Sequence, residues 1–210
     1  MPPALEEDAS IDTLRESART CRRCPLWRDA TQTVFGEGPP RADIIFVGEQ
    51  PGDREDLAGK PFVGPAGDIF DAILEEAGLD RARVYVTNAV KHFKFQPRGK
   101  RRIHSKPNVG EMRACHWWLA KELKIVKPRL AVALGATAAH SLIGKPIAVT
   151  RLRGETMTRD DGLPVFITIH PSFILRIRDP ADRRAERRRF LADLVAVGKA
   201  AASSVASIRR

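Results

Sequence analysis

The sequence predicts an α/β protein in which a mostly parallel sheet lies between two layers of helices. Apolar runs of strand length alternate along the chain with segments whose apolar residues recur at helical spacing. The apolar runs are almost continuous, which is typical of strands buried on both faces. Because alternating strands and helices build a parallel sheet covered on both sides, these observations predict a three-layer α/β/α fold.

Four strands are predicted from runs that are rich in β-branched residues. The runs are ADIIFVGE at 42–49, RVYVTNAV at 83–90, LAVALGA at 130–136 and PVFITIH at 164–170. Helical segments connect these runs, so we expect the strands to be mostly parallel.

Three helices are predicted between and after the strands. Apolar residues recur at helical spacing within 69–77, 115–123 and 190–195. Asn108 and Glu111 have the spacing of a capping box at the start of the second helix. Asp179 followed by Pro180 predicts the start of the last helix, because Asp caps helices and proline fits the first turn.

Length and charge predict a single domain with a polyanionic partner. A chain of 210 residues with 43% apolar composition can bury one core, so residues 1–210 are expected to form one domain. The net charge of +10 and the pI of about 10.1 favour nucleic acid as the partner. The first residues, MPPALEEDAS, lack the basic start and apolar centre of a signal peptide. We therefore expect a cytoplasmic protein, with a monomer as the default.

Residues capable of chemistry follow the predicted strands at their carboxyl ends. Glu49 follows the first strand, Asn88 lies near the end of the second, and His170 ends the fourth. Phe62 and Gly67 lie in the glycine- and proline-rich segment after the first strand. Taken singly, such residues are more often turn formers or core residues. Because ligands bind beyond the carboxyl ends of parallel strands, their joint placement favours a binding cleft.

Five motifs carry a family resemblance. GEQPG, KPFVGPAG, VTNAVK, LGATAA and HPSFILR occur in this order between Cys21 and Arg176. In order and spacing they resemble the uracil-DNA glycosylase superfamily, and specifically its iron–sulfur branch. The resemblance implies a four-stranded parallel sheet between helices and an enzyme that flips uracil out of DNA and cleaves its N-glycosidic bond.

The residue chemistry is consistent with that implication. A flipped base is stacked between apolar or aromatic side chains and read along its Watson–Crick edge. Phe62 supplies an aromatic face, and the Asn88 amide can donate to uracil O4 and accept from N3–H, which is opposite to the cytosine pattern. His170 is expected to donate to uracil O2, where negative charge develops, with help from backbone N–H groups around Gly48 and Gln50.

Three cysteines and one histidine are the candidate metal ligands. Cys21 and Cys24 have the spacing of thiolate ligands, and Cys115 is a third candidate. The iron–sulfur branch has a cysteine at the position of His92, so the resemblance implies a [4Fe–4S] cluster held by the three cysteines and His92. His116 is a weaker candidate, because it follows Cys115 on a helix and points about 100° away. A zinc ion held by the CxxC pair and His92 stays the alternative.

The segment at about 93–108 is a basic insertion, and the corresponding loop is shorter in ordinary members of the branch. Its sequence GKRRIH resembles the signature of UdgX-type glycosylases, which become covalently attached to DNA after excising uracil. The resemblance implies that His104 attacks deoxyribose C1′, where most glycosylases deliver water. Glu49 is expected to orient the imidazole and stabilise its charge, and Gln50 to position the loop or the base.

The DNA is expected to lie against the cations of this insertion. The residues predicted to contact it are Lys100, Arg101, Arg102, Lys106 and Ser172. The cations that precede His104 also disfavour its protonation, because like charges raise the cost of an imidazolium. Single-stranded DNA is expected to be preferred, since it avoids the cost of unpairing.

Two other functions stay open from the sequence. The first is a conventional uracil-DNA glycosylase that uses water and turns over many times, in which His104 only enters the base stack. The second is a non-catalytic iron–sulfur module that holds DNA backbone through the basic loop and the segment 176–189. The run RDPADRRAERRRF is better explained by a solvated helix face.

Overall fold

The computed structural model describes residues 10–208 and shows strands and helices in alternation. The strands are β1 (Ile44–Gly48), β2 (Tyr85–Asn88), β3 (Phe95–Arg98), β4 (Arg101–His104), β5 (Leu130–Leu134), β6 (Thr156–Thr158) and β7 (Pro164–Thr168). The helices are α1 (Ile11–Ala18), α2 (Asp53–Ala58), α3 (Pro65–Glu76), α4 (Val109–Val126), α5 (Ala136–Ile143), α6 (Val149–Leu152), α7 (Ser172–Arg176) and α8 (Pro180–Ile208). Two short 3-10 helices span Pro25–Arg28 and Arg81–Arg83.

Four strands form a parallel sheet in the order β2-β1-β5-β7, as the sequence predicts. A further strand, β6, pairs antiparallel with β7 at one edge and makes the sheet mixed. The three residues of β6, TMT, are exposed or half-buried, so no apolar run marks this strand in the sequence. The predicted α/β fold is confirmed, and the edge strand is an addition to it.

The sheet has an apolar core on each face. On β1, Ile45 and Val47 face a core shared with α1, α4 and α5, whereas Ile44 and Phe46 face a second core shared with α3 and α8. Successive residues of a strand point to opposite faces, and here both faces are buried. This two-sided burial is the physical cause of the nearly continuous apolar runs.

The predicted helix starts are present at α4 and α8. The Asn108 side chain accepts from the Glu111 N–H at 2.9 Å, and Glu111 accepts from the Asn108 N–H at 2.7 Å. Asp179 accepts from the N–H groups of Ala181 and Asp182. These bonds satisfy donors that the first turn of a helix leaves unpaired. Over residues 10–208, no helix combines the length and the apolar character needed to cross a membrane.

The basic segment at 93–108, predicted as an insertion, forms a β-hairpin. Strands β3 and β4 pair antiparallel, with Phe95 opposite His104. Gly99 at the tip has a φ of +58°, which glycine adopts without a steric penalty. Pro97 and the run of charges hide this strand pattern in the sequence, which predicts only a loop. His104 is therefore the last residue of a strand whose place is set by backbone pairing.

Phe70 on α3 provides a test of the core. It is fully buried, and its ring centroid lies 5.0 Å from that of Phe46 and 5.2 Å from that of Phe62. Replacing Phe70 by Ala leaves a cavity, so we expect the free energy of unfolding to fall by about 3–5 kcal/mol in chemical denaturation. The control is Phe173→Ala, because Phe173 is 42% exposed and its loss should change the value by less than about 0.5 kcal/mol. Equal losses in the two variants would contradict this account of the core.

Candidate active site

The carboxyl ends of the parallel strands open into a cavity of about 1110 Å³. Its lining includes Glu49, Gln50, Phe62, Asn88, His104, His170 and Ser172. The chain segments at the ends of β1, β2 and β7 contribute most of these side chains, and the hairpin contributes His104. A cavity at this edge of the sheet is where a ligand is expected to bind. The convergence expected from the sequence is therefore present.

Gly48 makes room for the Asn88 amide. The two residues end neighbouring strands and are paired in the register of β1 and β2. A Cβ atom on residue 48 would lie 2.4 Å from Asn88 Oδ1 and 2.9 Å from Phe62 Cζ, so no larger residue fits without a shift. Asn88 is buried, and its side-chain amide forms no hydrogen bond with another described residue. A buried amide in this state is ready to donate to and accept from a ligand.

Phe62 forms an aromatic wall of the cavity and has an unusual backbone conformation. Its φ is +58°, a left-handed value that is uncommon outside glycine. A Cβ atom on Gly67 would lie 1.9 Å from the Phe62 carbonyl oxygen, so the first turn of α3 packs directly against this residue. The Phe62 ring centroid lies 5.2 Å from that of Phe70 and 6.1 Å from that of His170. These contacts hold the ring in one place, as a stacking surface requires.

His170 is held as a neutral hydrogen-bond donor. Its Nδ1 accepts from the Ser172 N–H at 3.2 Å and lies 2.8 Å from the Ser172 hydroxyl oxygen. That oxygen accepts from Arg176 at 3.0 Å, so the hydroxyl proton is free to donate to Nδ1. With Nδ1 an acceptor, the neutral ring carries its proton on Nε2. Burial lowers the pKa of His170 to about 4, despite the opposing charge of Glu49, so the ring is neutral at pH 7.

Ser172 lies beside His170 in the structure. The sequence assigns it to the DNA-binding residues, whereas the structure places its hydroxyl and backbone N–H against His170. Its geometry is that of a residue that orients the imidazole.

Glu49 contacts His104 and the start of α5. Its Oε1 lies 3.3 Å from His104 Nε2, and its Oε2 accepts from the Thr137 hydroxyl. Burial alone would raise the pKa of Glu49, but the hydrogen bonds from His104 and Thr137 outweigh burial and lower the pKa. The carboxylate is therefore ionised at neutral pH. Thr137 was not predicted as a site residue, and its place in the first turn of α5, three residues after the end of β5, is the signal that could identify it.

Gln50 fixes the base of the hairpin. Its Nε2 donates to the Lys94 carbonyl at 3.0 Å and to the Ser105 carbonyl at 3.2 Å, and the Lys94 N–H donates to its Oε1 at 3.3 Å. Lys94 and Ser105 directly flank the two strands of the hairpin, and the Ser105 N–H donates to the Lys94 carbonyl at 2.9 Å. One side-chain amide therefore holds both ends of the segment that carries His104.

Arg102 ties the hairpin to helix α2. Its guanidinium forms ion pairs with Asp53 and Asp56, each at 2.6 Å. It also lies over the rings of Phe93 and Phe95, at 5.4 and 5.2 Å from their centroids. The side chain that the sequence assigns to DNA binding is thus engaged within the protein. Its geometry supports a role as the anchor of the hairpin.

The other cations of the insertion remain available to a partner. Lys100, Arg101 and Lys106 are exposed. They form no ion pair with a carboxylate in the part of the chain that the structure describes. The structure therefore separates two classes of cation that look alike in the run KRRIHSK.

The three cysteines are buried as free thiols: Cys21, Cys24 and Cys115. Trp118 Nε1 donates to Cys21 Sγ at 3.0 Å, and the Lys91 N–H donates to Cys115 Sγ at 3.1 Å. Burial raises the pKa of Cys115 to about 12, although Lys91 lowers it, and the nearby thiols of Cys24 and Cys21 raise it further. A metal would favour the Cys115 thiolate, which this protein environment alone disfavours.

His92 directly follows Lys91 and has one free ring nitrogen. Its Nε2 lies 3.0 Å from Thr33 Oγ1, whose proton is donated to the Ala18 carbonyl at 2.8 Å. Nε2 is therefore the protonated nitrogen and donates to Thr33. Among the residues that the structure describes, Nδ1 is buried without a hydrogen-bond partner, and burial lowers the pKa of the ring to about 4. A neutral imidazole with an unshared buried nitrogen has the form of a metal ligand.

A complete mononuclear metal site is not formed by the described residues. Within 10–208, no group of three or more His, Cys, Asp or Glu side chains is arranged to hold a metal ion. His116 lines a separate cavity of about 210 Å³ together with His140. The three thiols and the free His92 nitrogen fit the ligand chemistry of a thiolate-bound cluster. The predicted ligand set therefore stays a proposal.

The chain is similar to one known protein family and to several known proteins. Residues 35–195 match the family model of the Uracil DNA glycosylase superfamily. A Type-4 uracil-DNA glycosylase of Thermotoga maritima is 38% identical over 175 residues, which cover 83% of this chain and 88% of that protein. A Type-4 uracil-DNA glycosylase of Sulfurisphaera tokodaii is 34% identical over 174 residues, covering 79% of this chain and 76% of that protein.

A more distant relative has a different type number. The Type-5 uracil-DNA glycosylase of Pyrobaculum aerophilum is 28% identical over 179 residues, covering 75% of this chain and 74% of that protein. The family match includes the parallel sheet, the residues at its carboxyl ends and the basic hairpin. This chain belongs to the uracil-DNA glycosylase superfamily.

Proposed function

We propose that this protein excises uracil from DNA and is then captured as a covalent adduct through His104. The observation that carries the proposal is the position of His104 Nε2, 3.3 Å from Glu49 on a hairpin beside the cavity. The similarity to proteins named uracil-DNA glycosylases supports the excision step. The resemblance of the hairpin sequence to the UdgX-type signature supports the capture step. The reaction is cleavage of an N-glycosidic bond with a single turnover.

Uracil is recognised by stacking and by its Watson–Crick edge. Phe62 provides the aromatic wall, and Asn88 donates from Nδ2 to uracil O4 and accepts at Oδ1 from N3–H. Cytosine presents a donor at position 4 and an acceptor at N3, so both bonds would be lost. Because the Asn88 amide is buried and forms no hydrogen bond with another described residue, a mismatched base leaves it unsatisfied.

Departure of the base requires stabilisation of negative charge. The bond between C1′ and N1 breaks, and its electron pair leaves with uracil. His170 donates from Nε2 toward uracil O2, where the charge accumulates. The Ser172 N–H donates to Nδ1, so the neutral ring carries its proton on Nε2, where it is available to O2. The ionised Glu49 also stabilises the positive charge that develops on the sugar.

Capture uses the lone pair of the His104 imidazole. One ring nitrogen contacts Glu49, and the other attacks C1′ as the oxocarbenium-like sugar forms. The new carbon–nitrogen bond leaves a positive charge on the imidazole, which the Glu49 carboxylate stabilises. The uracil anion takes its proton from solvent. The Nε2 proton then passes through Glu49 to solvent, and the adduct has no built-in release path because the neutral substituted imidazole is a poor leaving group.

The DNA backbone is assigned to the exposed cations of the hairpin. Lys100, Arg101 and Lys106 are free to contact phosphates, whereas Arg102 acts as the hairpin anchor. Single-stranded DNA is the preferred substrate in this proposal, since it needs no unpairing, and the protein acts as a monomer.

The cofactor proposed for this protein is a [4Fe–4S] cluster, with zinc as the alternative metal. Cys21, Cys24, His92 and Cys115 are the ligands, and the free Nδ1 of His92 is the observation that supports them. When bound, the cluster supplies covalent cross-links between segments that are distant in sequence. These segments are the chain before β1, the residues after β2 and helix α4. The role assigned to it is structural.

Conventional turnover is the second candidate function. The His104 side chain is 49% exposed, so water can approach the same side of the cavity. A conventional glycosylase would process excess substrate without an adduct. A non-catalytic DNA-binding module would bind without regard to uracil and release no base.

The role of His104 as the nucleophile can be tested with DNA that contains uracil. A labelled uracil oligonucleotide mixed with the wild-type protein should give a 1:1 conjugate that survives heating in detergent on a denaturing gel. His104→Ser should lose the conjugate and still release uracil, because water can complete excision. The same oligonucleotide with thymine in place of uracil is the control and should give no conjugate. Absence of the wild-type band, or its persistence in His104→Ser, would contradict covalent capture through His104.

The hydrogen bonds from Gln50 to Lys94 and Ser105, here called the hairpin clamp, can be tested by substitution. Gln50→Ala removes the bonds to Lys94 and Ser105, so the capture rate at saturating DNA should fall about 10- to 100-fold through misplacement of the nucleophile. Arg101→Met at the exposed tip is the matched control. This substitution should weaken DNA binding and reduce the slope of log affinity against log salt concentration by about one. The capture rate at saturating DNA should not change. Equal capture rates for Gln50→Ala and the wild type would refute the clamp.

The proposed role of His92 as a cluster ligand can be tested by metal content. His92→Ala should lose most of the bound iron and sulfide, whereas His92→Cys should retain them, because four thiolates suit such a cluster. Metal analysis and visible absorbance of the purified proteins measure the difference. His116→Ala is the control and should keep its iron. Full iron in His92→Ala would exclude His92 as a ligand, and stoichiometric zinc in the wild type would favour the alternative metal.

A further inference from the structure

A buried ion pair lies directly behind the base-recognition residues. The side chains of Lys91 and Glu122 are both 0% exposed, and Lys91 Nζ lies 2.5 Å from Glu122 Oε2. Removing two charges from water is costly, and such a pair is often no more stable than apolar residues of similar volume. Stability alone is therefore a weak explanation for this pair.

The three protons of the Lys91 ammonium each have an acceptor. Besides Glu122, Lys91 Nζ donates to Thr87 Oγ1 at 2.6 Å and to the Asn88 carbonyl at 2.7 Å. An ammonium group has three donors, so its hydrogen-bonding capacity is fully used. The Asn88 carbonyl is held by a charged donor, which makes a stronger bond than a neutral one.

Glu122 is anchored through its second oxygen. Its Oε1 accepts from the Tyr85 hydroxyl at 3.0 Å, from Thr87 at 2.9 Å and from the Gly36 N–H at 3.2 Å. Burial and the Glu122 charge raise the pKa of Tyr85, so the phenol keeps its proton and donates. These bonds therefore fix both the position and the orientation of the Glu122 carboxylate in the ion pair.

The peptide group after Asn88 is bonded on both sides. Its carbonyl accepts from Lys91 Nζ, and its N–H, which belongs to Ala89, donates to the Gly48 carbonyl at 2.9 Å. The plane of this peptide cannot rotate without breaking one of these bonds. Its orientation determines where the Asn88 side chain leaves the backbone, in the space that Gly48 leaves open.

We propose that the Lys91–Glu122 ion pair is a positioning device for base recognition. By fixing the peptide after Asn88, it sets the direction of the amide that distinguishes uracil from cytosine. The inference rests on the proposed reading of uracil by Asn88. Lys91 and Glu122 touch neither the base nor the sugar, so they act through Asn88.

The test uses Lys91→Met/Glu122→Gln, which removes both charges and approximately keeps both volumes. The glutamine oxygen can still accept from Tyr85, Thr87 and Gly36. We expect free uracil, measured by calorimetry with the metal-loaded protein, to bind about tenfold more weakly, the loss of roughly one well-placed hydrogen bond. The preference for uracil over cytosine should shrink by the same factor.

A matched control removes a different ion pair at the opposite end of the sheet. Arg129 Nε lies 3.0 Å from Asp43 Oδ1, directly before β5 and β1 begin and outside the network around Asn88. Arg129→Met/Asp43→Asn should leave uracil affinity unchanged. Circular dichroism and iron content should match the wild type in both double variants, so that a general loss of structure is separated from a loss of positioning.

Action through Asn88 is tested by a double-mutant cycle. Asn88→Ala should weaken uracil binding in the wild-type background and have little further effect in Lys91→Met/Glu122→Gln. If the double variant does not fold, Thr87→Val keeps the ion pair, removes one of its partners and should weaken uracil binding by about threefold.

The outcomes separate this inference from the proposed function. Unchanged uracil affinity in the folded double variant, or in Thr87→Val where the double variant does not fold, overturns the positioning role while the proposed function stands. Additive effects of Asn88→Ala and the double substitution also overturn it. Failure of the wild-type protein to bind uracil at all would overturn both the inference and the proposed function.

Discussion

The pairing of β1 with β2 continues past the last strand residue, and this extension fixes most of the site. The Ala89 N–H donates to the Gly48 carbonyl, and the Val90 N–H donates to the Glu49 carbonyl at 3.0 Å. Two adjacent backbone bonds therefore fix the distance between Glu49 and Asn88, the proposed catalytic carboxylate and the proposed recognition amide. The same short segment leads into His92, so a change at the proposed metal ligands would be transmitted through backbone rather than through flexible side chains.

The fold and the lining of the cavity were largely predictable because their signals are local. Because β1 is buried on both faces, its sequence is an unbroken apolar run. Helix starts likewise require particular residues, such as Asn108 with Glu111. Glu49 and Asn88 were identified by a topological rule, since parallel strands end at one edge of the sheet. Thr137 obeys the same rule but carries a common hydroxyl side chain, so nothing in its type singled it out.

The remaining features depend on contacts between distant parts of the chain. Arg101 and Arg102 are adjacent and identical in sequence, yet one is exposed and the other is held by Asp53 and Asp56 on α2. Which neighbour turns toward the protein follows from the alternation of β4, and that strand is hidden by its charges. The Gln50 side chain likewise bonds Lys94 and Ser105, which lie 44 and 55 positions away from it in the sequence. No local pattern reports such pairs.

The closed base of the hairpin has a consequence for how this chain could arise. Lys94 and Ser105 are joined by a backbone hydrogen bond, so the chain leaves and re-enters the domain at nearly one point. An insertion with adjacent ends leaves the strands and helices on either side undisturbed. A segment that carries His104 can therefore be exchanged as one unit, with Gln50 holding its two ends, while the parallel sheet and the cavity at its edge stay in place.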